Sequence, residues 1–235
     1  MHKHWAPLYH ADVARDLADA KLEFVGSADL VFAYPSLYLD AARQAVVDEI
    51  SDPVLRETVK DYFLNTRFRK DVFVRGARKM APLRKVESLA GIGLALLVPR
   101  DKIDLKLKLT IGEIGAKEEV YGPVLDALET RPHSLVELGA LKSLPKQSVE
   151  GLGQIAAMLV SANYAGLYFG SGGAVTPASL RLNQVLAGQS RYRDDYHVLG
   201  SALTGTGIGA DTVERLVYWL LSQVVKETEI DNFTE

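Results

Sequence analysis

The chain has 235 residues, with 27 basic and 30 acidic side chains for a net charge of −3, and no cysteine. These counts exclude disulfides, thiolate nucleophiles and cysteine zinc sites. They also argue against whole-chain attraction to nucleic acid or an anionic membrane, so any such contact must come from a local patch. A hydrophobic content of 48% against 24% charged is enough to build one large domain or two ordinary ones.

The opening "MHKHWAPLYH" has no signal-peptide core, and no apolar run approaches the ~18 residues of a spanning helix. The expected location is therefore the cytoplasm. Trp5, Pro7 and Tyr9 precede the first helix with no earlier element to pack on, as if the chain were cut from something longer. Helical spacing of Val13, Leu17 and Ala20 predicts a helix over 11–21, and "LEFVG" predicts a short strand. "SADLVFAYPSLYL" is irregular and is stopped by Pro35. "DAARQAVVDEI" is helical, and Asp52 before Pro53 starts another helix whose buried stripe is expected to be Leu55, Val59, Tyr62 and Phe63. In "RFRKDVFVRG" the period changes to two. Phe68, Val72 and Val74 fall on one face, and Arg67, Arg69, Asp71, Phe73 and Arg75 on the other.

"GLALLVPR" predicts a strand, and "DLKLKLTIGEI" another, with lysines guarding its wet face. A compact helical block follows: "KEEVYGPVLDALE", then "HSLVELGAL" with a capping box from Ser134 to Glu137, then "SVEGLGQIAAMLVSANY" with Leu152, Ile155, Ala156 and Leu159 inward, then the strand "AGLYFG". This order is that of a winged helix. Past the glycine-rich "GSGGAVTP", Thr176 and Pro177 open a helix. "DDYHVLGSAL" reads as a strand, and Asp211 with Glu214 boxes the start of the last helix.

Candidate chemistry is sparse. "LTGTGIGADTVERL" has the glycine spacing of a nucleotide loop, but the residues after it cannot build the second strand of a βαβ unit, so a flexible loop is expected. His2, His4 and His10 fit no metal spacing and are expected on the surface. No lysine or arginine lies between Gln147 and Tyr168, which leaves a winged-helix recognition helix without phosphate donors. The remaining candidate is the strip at 67–75. Arg67, Arg69, Phe73 and Arg75 either grip a substrate or acidic partner, or pair with Asp71 and neighbouring carboxylates in a solvated sheet.

"HWAPLYHADVARDLADAKLEFVGSADL", "DPVLRETVKDYFLNTRFRKDVFVRG" and "LALLVPRD" followed by "EEVYGPVLDAL" resemble the methyltransferase regulatory domain family. The family accompanies a class I S-adenosylmethionine methyltransferase domain in bacterial enzymes, some of which methylate protein lysines. The likeness is dense over residues 2–76 and looser to the end, and His10 departs from the aromatic the family commonly has. The resemblance implies a non-catalytic regulatory or substrate-recognition module, with S-adenosylmethionine bound by a catalytic domain absent from this chain. Its implied partners are that catalytic domain, in cis or in trans, and a protein substrate; no membrane or nucleic-acid partner is implied. Trp5, Tyr9 and His10 are then candidates for the contact with the catalytic domain. The expected fold is α+β: a mixed helical domain with a small sheet over 1–112, then a winged-helix-like domain with C-terminal helices over 113–235. The alternative is a winged-helix DNA-binding regulator.

Overall fold

The computed structural model describes residues 6–231, an α+β arrangement of helices and small antiparallel sheets. Helix α1 (His10–Asp19) leads into β1 (Leu22–Ser27), and two 3-10 turns follow at Leu30–Ala33 and Pro35–Leu37. Helices α2 (Ala41–Glu49) and α3 (Pro53–Leu64) each begin on an aspartate. Asp40 Oδ1 accepts from the Arg43 N–H at 2.8 Å, and Asp52 Oδ1 accepts from the Val54 N–H at 2.8 Å, which satisfies helix donors that have no partner inside the helix. Strand β2 (Asp71–Arg75) runs antiparallel to β1 with Phe24 opposite Phe73. Helix α4 (Pro82–Ala90) has no counterpart in the sequence reading, although Pro82 at its first position marks the start.

Two expected faces are turned. In β2 the valines Val72 and Val74 face solvent, while Asp71 and Phe73 face inward. On α3, Leu55 and Tyr62 are exposed and Thr58 is buried. The reason is one contact. The inner face of the β1–β2 sheet meets α1 and α3 through ion pairs and an aromatic cluster, so charge lies inside and aliphatic surface outside.

The apolar core lies further along the chain. Strand β3 (Ile92–Leu96) is the centre of a three-stranded sheet between β6 (His133–Ser134) and β7 (Ala165–Phe169). The expected single strand at "DLKLKLTIGEI" is a hairpin, β4 (Lys106–Leu109) with β5 (Gly112–Gly115), folded at Thr110 and Ile111. Leu107 is fully buried while Lys106 and Lys108 stay wet. Helices α5 (Glu118–Thr130), α6 (Leu135–Gly139) and α7 (Val149–Ser161) close over the sheet. Leu152, Ile155, Ala156 and Leu159 of α7 are all buried, as their spacing required. Ser134 caps α6 reciprocally with Glu137.

This core crosses the boundary expected at residue 112. Val31, Leu94, Ile103 and Leu107 pack in one cluster with Val124, Leu125, Leu138 and Leu159. The helix, short helix, helix and strand order is present, but its sheet takes its middle strand from upstream. This helical block is therefore not closed by residues 113–235 alone.

Helix α8 (Pro177–Gln189), strands β8 (Val198–Ser201) and β9 (Thr206–Gly209), and helix α9 (Thr212–Asp231) complete the described residues. The glycine-rich stretch is a hairpin, not a flexible loop: Ser201 pairs with Thr206, and Gly205 takes φ 65° in the turn, a conformation that favours glycine. The Asn183 side chain holds the hairpin to α8. Its Nδ2 donates to the Gly200 carbonyl at 2.8 Å, and its Oδ1 accepts from the Gly200 N–H at 2.7 Å. Arg215, fully buried, reaches Asp194 and Thr212.

Candidate functional site

The site is built around residues 65–71. Asn65 ends α3 in the left-handed region, φ 50°, and the Thr66 N–H donates to the Asp61 carbonyl at 3.0 Å. That turn sends the chain back along α3 and into β2. One side of the returning segment lines a cavity of about 430 Å³ with Asp29, Phe32, Thr66, Arg67, Lys70 and Thr110. The other side lines an open groove of about 690 Å³ with Leu8, Tyr9, Val13, Tyr62, Phe68 and Phe73. Asp61, Thr66, Arg67, Phe68, Arg69 and Asp71 belong to both walls, whereas Asp29, Phe32, Lys70 and Thr110 line the cavity alone and Leu8, Tyr9, Val13, Tyr62 and Phe73 the groove alone.

Arg69 anchors this partition. Its Nε donates to Asp71 Oδ2 at 2.7 Å, one terminal nitrogen to Asp61 Oδ1 at 2.8 Å, and the other to Glu57 Oε2 at 2.9 Å. The guanidinium lies 5.6 Å from the Phe24 ring centroid, and its side chain is 20% exposed. Lys60 Nζ donates to Glu57 Oε1 at 2.6 Å. Two cations thus meet three carboxylates in a partly dry place, where each contact is stronger than in water. Burial alone pulls the Arg69 value down, but the hydrogen bonds it donates to Asp71 and Glu57 outweigh it and hold the guanidinium charged. Burial pushes Glu57 up, yet Lys60 and Arg69 bring its carboxyl below the ordinary range. At Asp61 burial prevails over Arg69 and the value is raised. Burial, then the Glu57 charge, pushes the Tyr38 hydroxyl up to about 12.

His10 sits behind this cluster. Its Nδ1 lies 3.0 Å from Asp71 Oδ2, a carboxylate oxygen that accepts, so Nδ1 donates in this contact. The ring meets Phe24 edge-on at 4.7 Å and stacks on Phe73 at 6.1 Å. Its side chain is inaccessible to solvent, against the expectation of a surface histidine. Nε2 of His10 and Oδ1 of Asp71 have no hydrogen-bond partner among the described residues.

The structure therefore separates the candidates by role. Arg69 and Phe73 face inward and hold the β1–β2 sheet to the helices. Arg75 is exposed at the strand end and donates to the Ala20 carbonyl at 2.9 Å. Arg67 is exposed where the two cavities meet, next to Phe68, which is 89% exposed. Tyr9 is exposed with its ring 5.9 Å from that of Tyr62. His10 is packing rather than surface, and Trp5 lies outside the described residues. Sequence reasoning missed Glu57, Asp61 and Phe68. The signal was present: carboxylates one turn apart on a helix that turns straight into an arginine-bearing strand must face that strand.

The glycine-rich stretch does not make a nucleotide cradle. Strand β9 is antiparallel to β8, and α9 follows with no further parallel strand among the described residues.

Residues 1–75 match the family model described as "Predicted methyltransferase regulatory domain". Over 219 residues the chain is 33% identical to the protein sll1526 of Synechocystis sp. (strain ATCC 27184 / PCC 6803 / Kazusa), a match that covers 91% of this chain and 42% of that protein. Two solved structures of PKMT2 from Rickettsia typhi share the fold at 15% identity. The one in complex with AdoHcy has a TM-score of 0.55 over 94% of this chain and 48% of that one, and the other has 0.52 over 95% and 50%. The chain thus spans half or less of the length of each of these proteins.

Proposed function

We propose that this chain, whose first 75 residues carry a methyltransferase regulatory domain, serves a methyltransferase by docking its catalytic domain and presenting a protein acceptor to it. The observation that supports this reading is the two-sided cleft at 65–71, which lies within the matched segment. The groove at Leu8, Tyr9, Tyr62 and Phe68 is exposed and apolar, the character of a surface that meets another domain. The cavity beside Arg67 is smaller and has Lys70 in its wall, which the groove lacks, and it suits an acceptor segment. Arg69, Phe73 and His10 do not touch the partner in this reading; they keep the partition rigid between the two sides. Methyl transfer itself requires a sulfonium donor beside a nucleophile. In this reading the donor belongs to the catalytic domain.

Two variants of the complete methyltransferase separate the roles. Tyr9→Ala with Tyr62→Ala is expected to weaken capture of the separately expressed catalytic domain. Arg67→Ala with Lys70→Ala is expected to raise KM for the acceptor several-fold while capture stays intact. Calorimetry of the isolated chain with S-adenosylmethionine is expected to give no heat. The reading fails if neither pair changes capture or KM, or if the isolated chain binds the donor tightly. Salt-dependent binding to duplex DNA, lost on changes between Gln147 and Tyr168, would replace it with the DNA-binding alternative.

A further inference from the structure

Between Arg75 and Ala90 the sequence carries five basic residues and one acidic residue, in a chain whose net charge is −3. This segment joins β2 to β3 and contains α4. It lines neither cavity of the site described above. No residue of α4 is buried, and only Leu89 is half-buried. The helix is nevertheless two-sided. Leu83, Val86 and Ala90 recur at i, i+3 and i+7, while Arg84, Lys85, Glu87 and Ser88 take the other arc. Leu83 is 71% exposed and Val86 45%, and Met80 just before the helix is also exposed.

The cations are held by almost nothing. Arg84 meets Glu87 at 3.3 Å, one turn along the same helix, and both are exposed. Arg78, Lys79 and Lys85 have no carboxylate partner among the described residues. Unpaired cations beside an exposed aliphatic arc match a surface that is negative at one depth and apolar just beneath. Nucleic acid offers the charge but leaves Leu83, Val86 and Met80 in water. A folded acidic partner needs a groove cut to a convex helix. An anionic bilayer supplies both layers without a fitted shape. No described helix is long and apolar enough to cross a membrane, so the contact lies in the interface plane.

We propose that α4 is a peripheral membrane-docking helix. Met80, Leu83 and Val86 enter the boundary between headgroups and acyl chains, and Arg78, Lys79, Arg84 and Lys85 sit at the phosphates of an anionic leaflet. This surface is the local patch that the whole-chain charge conceals, and it departs from the expectation of no membrane partner. It does not depend on the function proposed for the cleft.

Co-sedimentation of the whole chain with vesicles tests it. Binding is expected to phosphatidylcholine vesicles containing phosphatidylglycerol, not to phosphatidylcholine alone, and to fall as salt rises. Lys79→Gln with Lys85→Gln is expected to weaken it about thirtyfold, two surface charges' worth. Leu83→Asp, at an exposed position that leaves the circular dichroism spectrum unchanged, is expected to weaken it about tenfold or more while every cation remains. The proposal is overturned by equal binding to both vesicle types, by indifference to Leu83→Asp, or by retention on duplex DNA without retention on the anionic vesicles.

Discussion

Replacing Arg69 with methionine removes one cation from among Glu57, Asp61 and Asp71 while keeping much of the side chain's bulk. Three charged hydrogen bonds of 2.7–2.9 Å are lost together, and the carboxylates are left facing one another with only Lys60 on Glu57 and the His10 ring on Asp71 beside them. Breaking a buried pair from one side costs about 3–5 kcal/mol. At 20% exposure solvent screens part of that, so the expected loss is about 3 kcal/mol. For a chain of this size that is a fall in Tm of roughly 6–12 °C. Urea unfolding followed by circular dichroism at neutral pH measures it, with exposed Arg67→Met as the control, expected within about 0.5 kcal/mol of the parent. The sign with pH follows from the carboxylates. Glu57 is lowered in the folded state, so its contribution is present above its unfolded value and is lost as pH falls through the folded one. Asp61 is raised, so its ionised form opposes folding, a cost that is absent in acid and complete once pH has risen past the folded value. Without Arg69 both carboxyls move up, and the variant's deficit narrows as pH is lowered and they protonate. Equal stability of Arg69→Met and Arg67→Met, or a deficit that widens in acid, would refute the account of the cluster.

Cutting the chain after residue 112 is expected to leave 113–235 without a cooperative thermal transition, because Leu94, Ile103 and Leu107 stay on the other fragment; a sharp melt of that fragment would restore the two-domain division. In the intact chain Leu107→Ala is expected to cost about 2–5 kcal/mol by urea titration. Ser134→Ala is expected to cost about 1 kcal/mol by the same measurement, since it removes the cap of α6. Arg131 first, then the Ser134 N–H and hydroxyl, hold Glu137 down at about 2, so the cap's pH-dependent part is present above the unfolded carboxylate range and fades as pH falls toward 2. Gly93→Ala would drive a methyl into the Tyr168 ring at Cζ and is expected to cost about 1–3 kcal/mol; a neutral effect would mean that the Tyr168 ring moves freely off β3.

Much of the fold was legible because it is local. Asp52 before Pro53, Ser134 before Glu137 and Thr176 before Pro177 each start a helix where their side chains can satisfy orphan N–H groups, whatever packs nearby. The run in α7 is so apolar that its burial was settled in advance. The site was half legible. Alternation put Arg69, Asp71 and Phe73 on one face, but alternation has no sign and cannot say which face is wet. Apolar bias pointed the valines inward. The nearness of Glu57 and Asp61 reversed that, since a paired guanidinium in a dry cluster tolerates burial.

The sequence by itself determined where the helices other than α4 begin, which residues share a face, and that no cysteine chemistry exists in this chain. Only the tertiary structure decided that β3, from the first half, completes the sheet of the second. It alone put His10 between Phe24, Phe73 and Asp71 and left α4 with its aliphatic arc uncovered. The physical reason is range: caps and periodicity act over one or two turns of chain. Burial of a given face depends on partners such as Phe24 and Asp71, 47 residues apart in sequence, whose meeting no local pattern encodes.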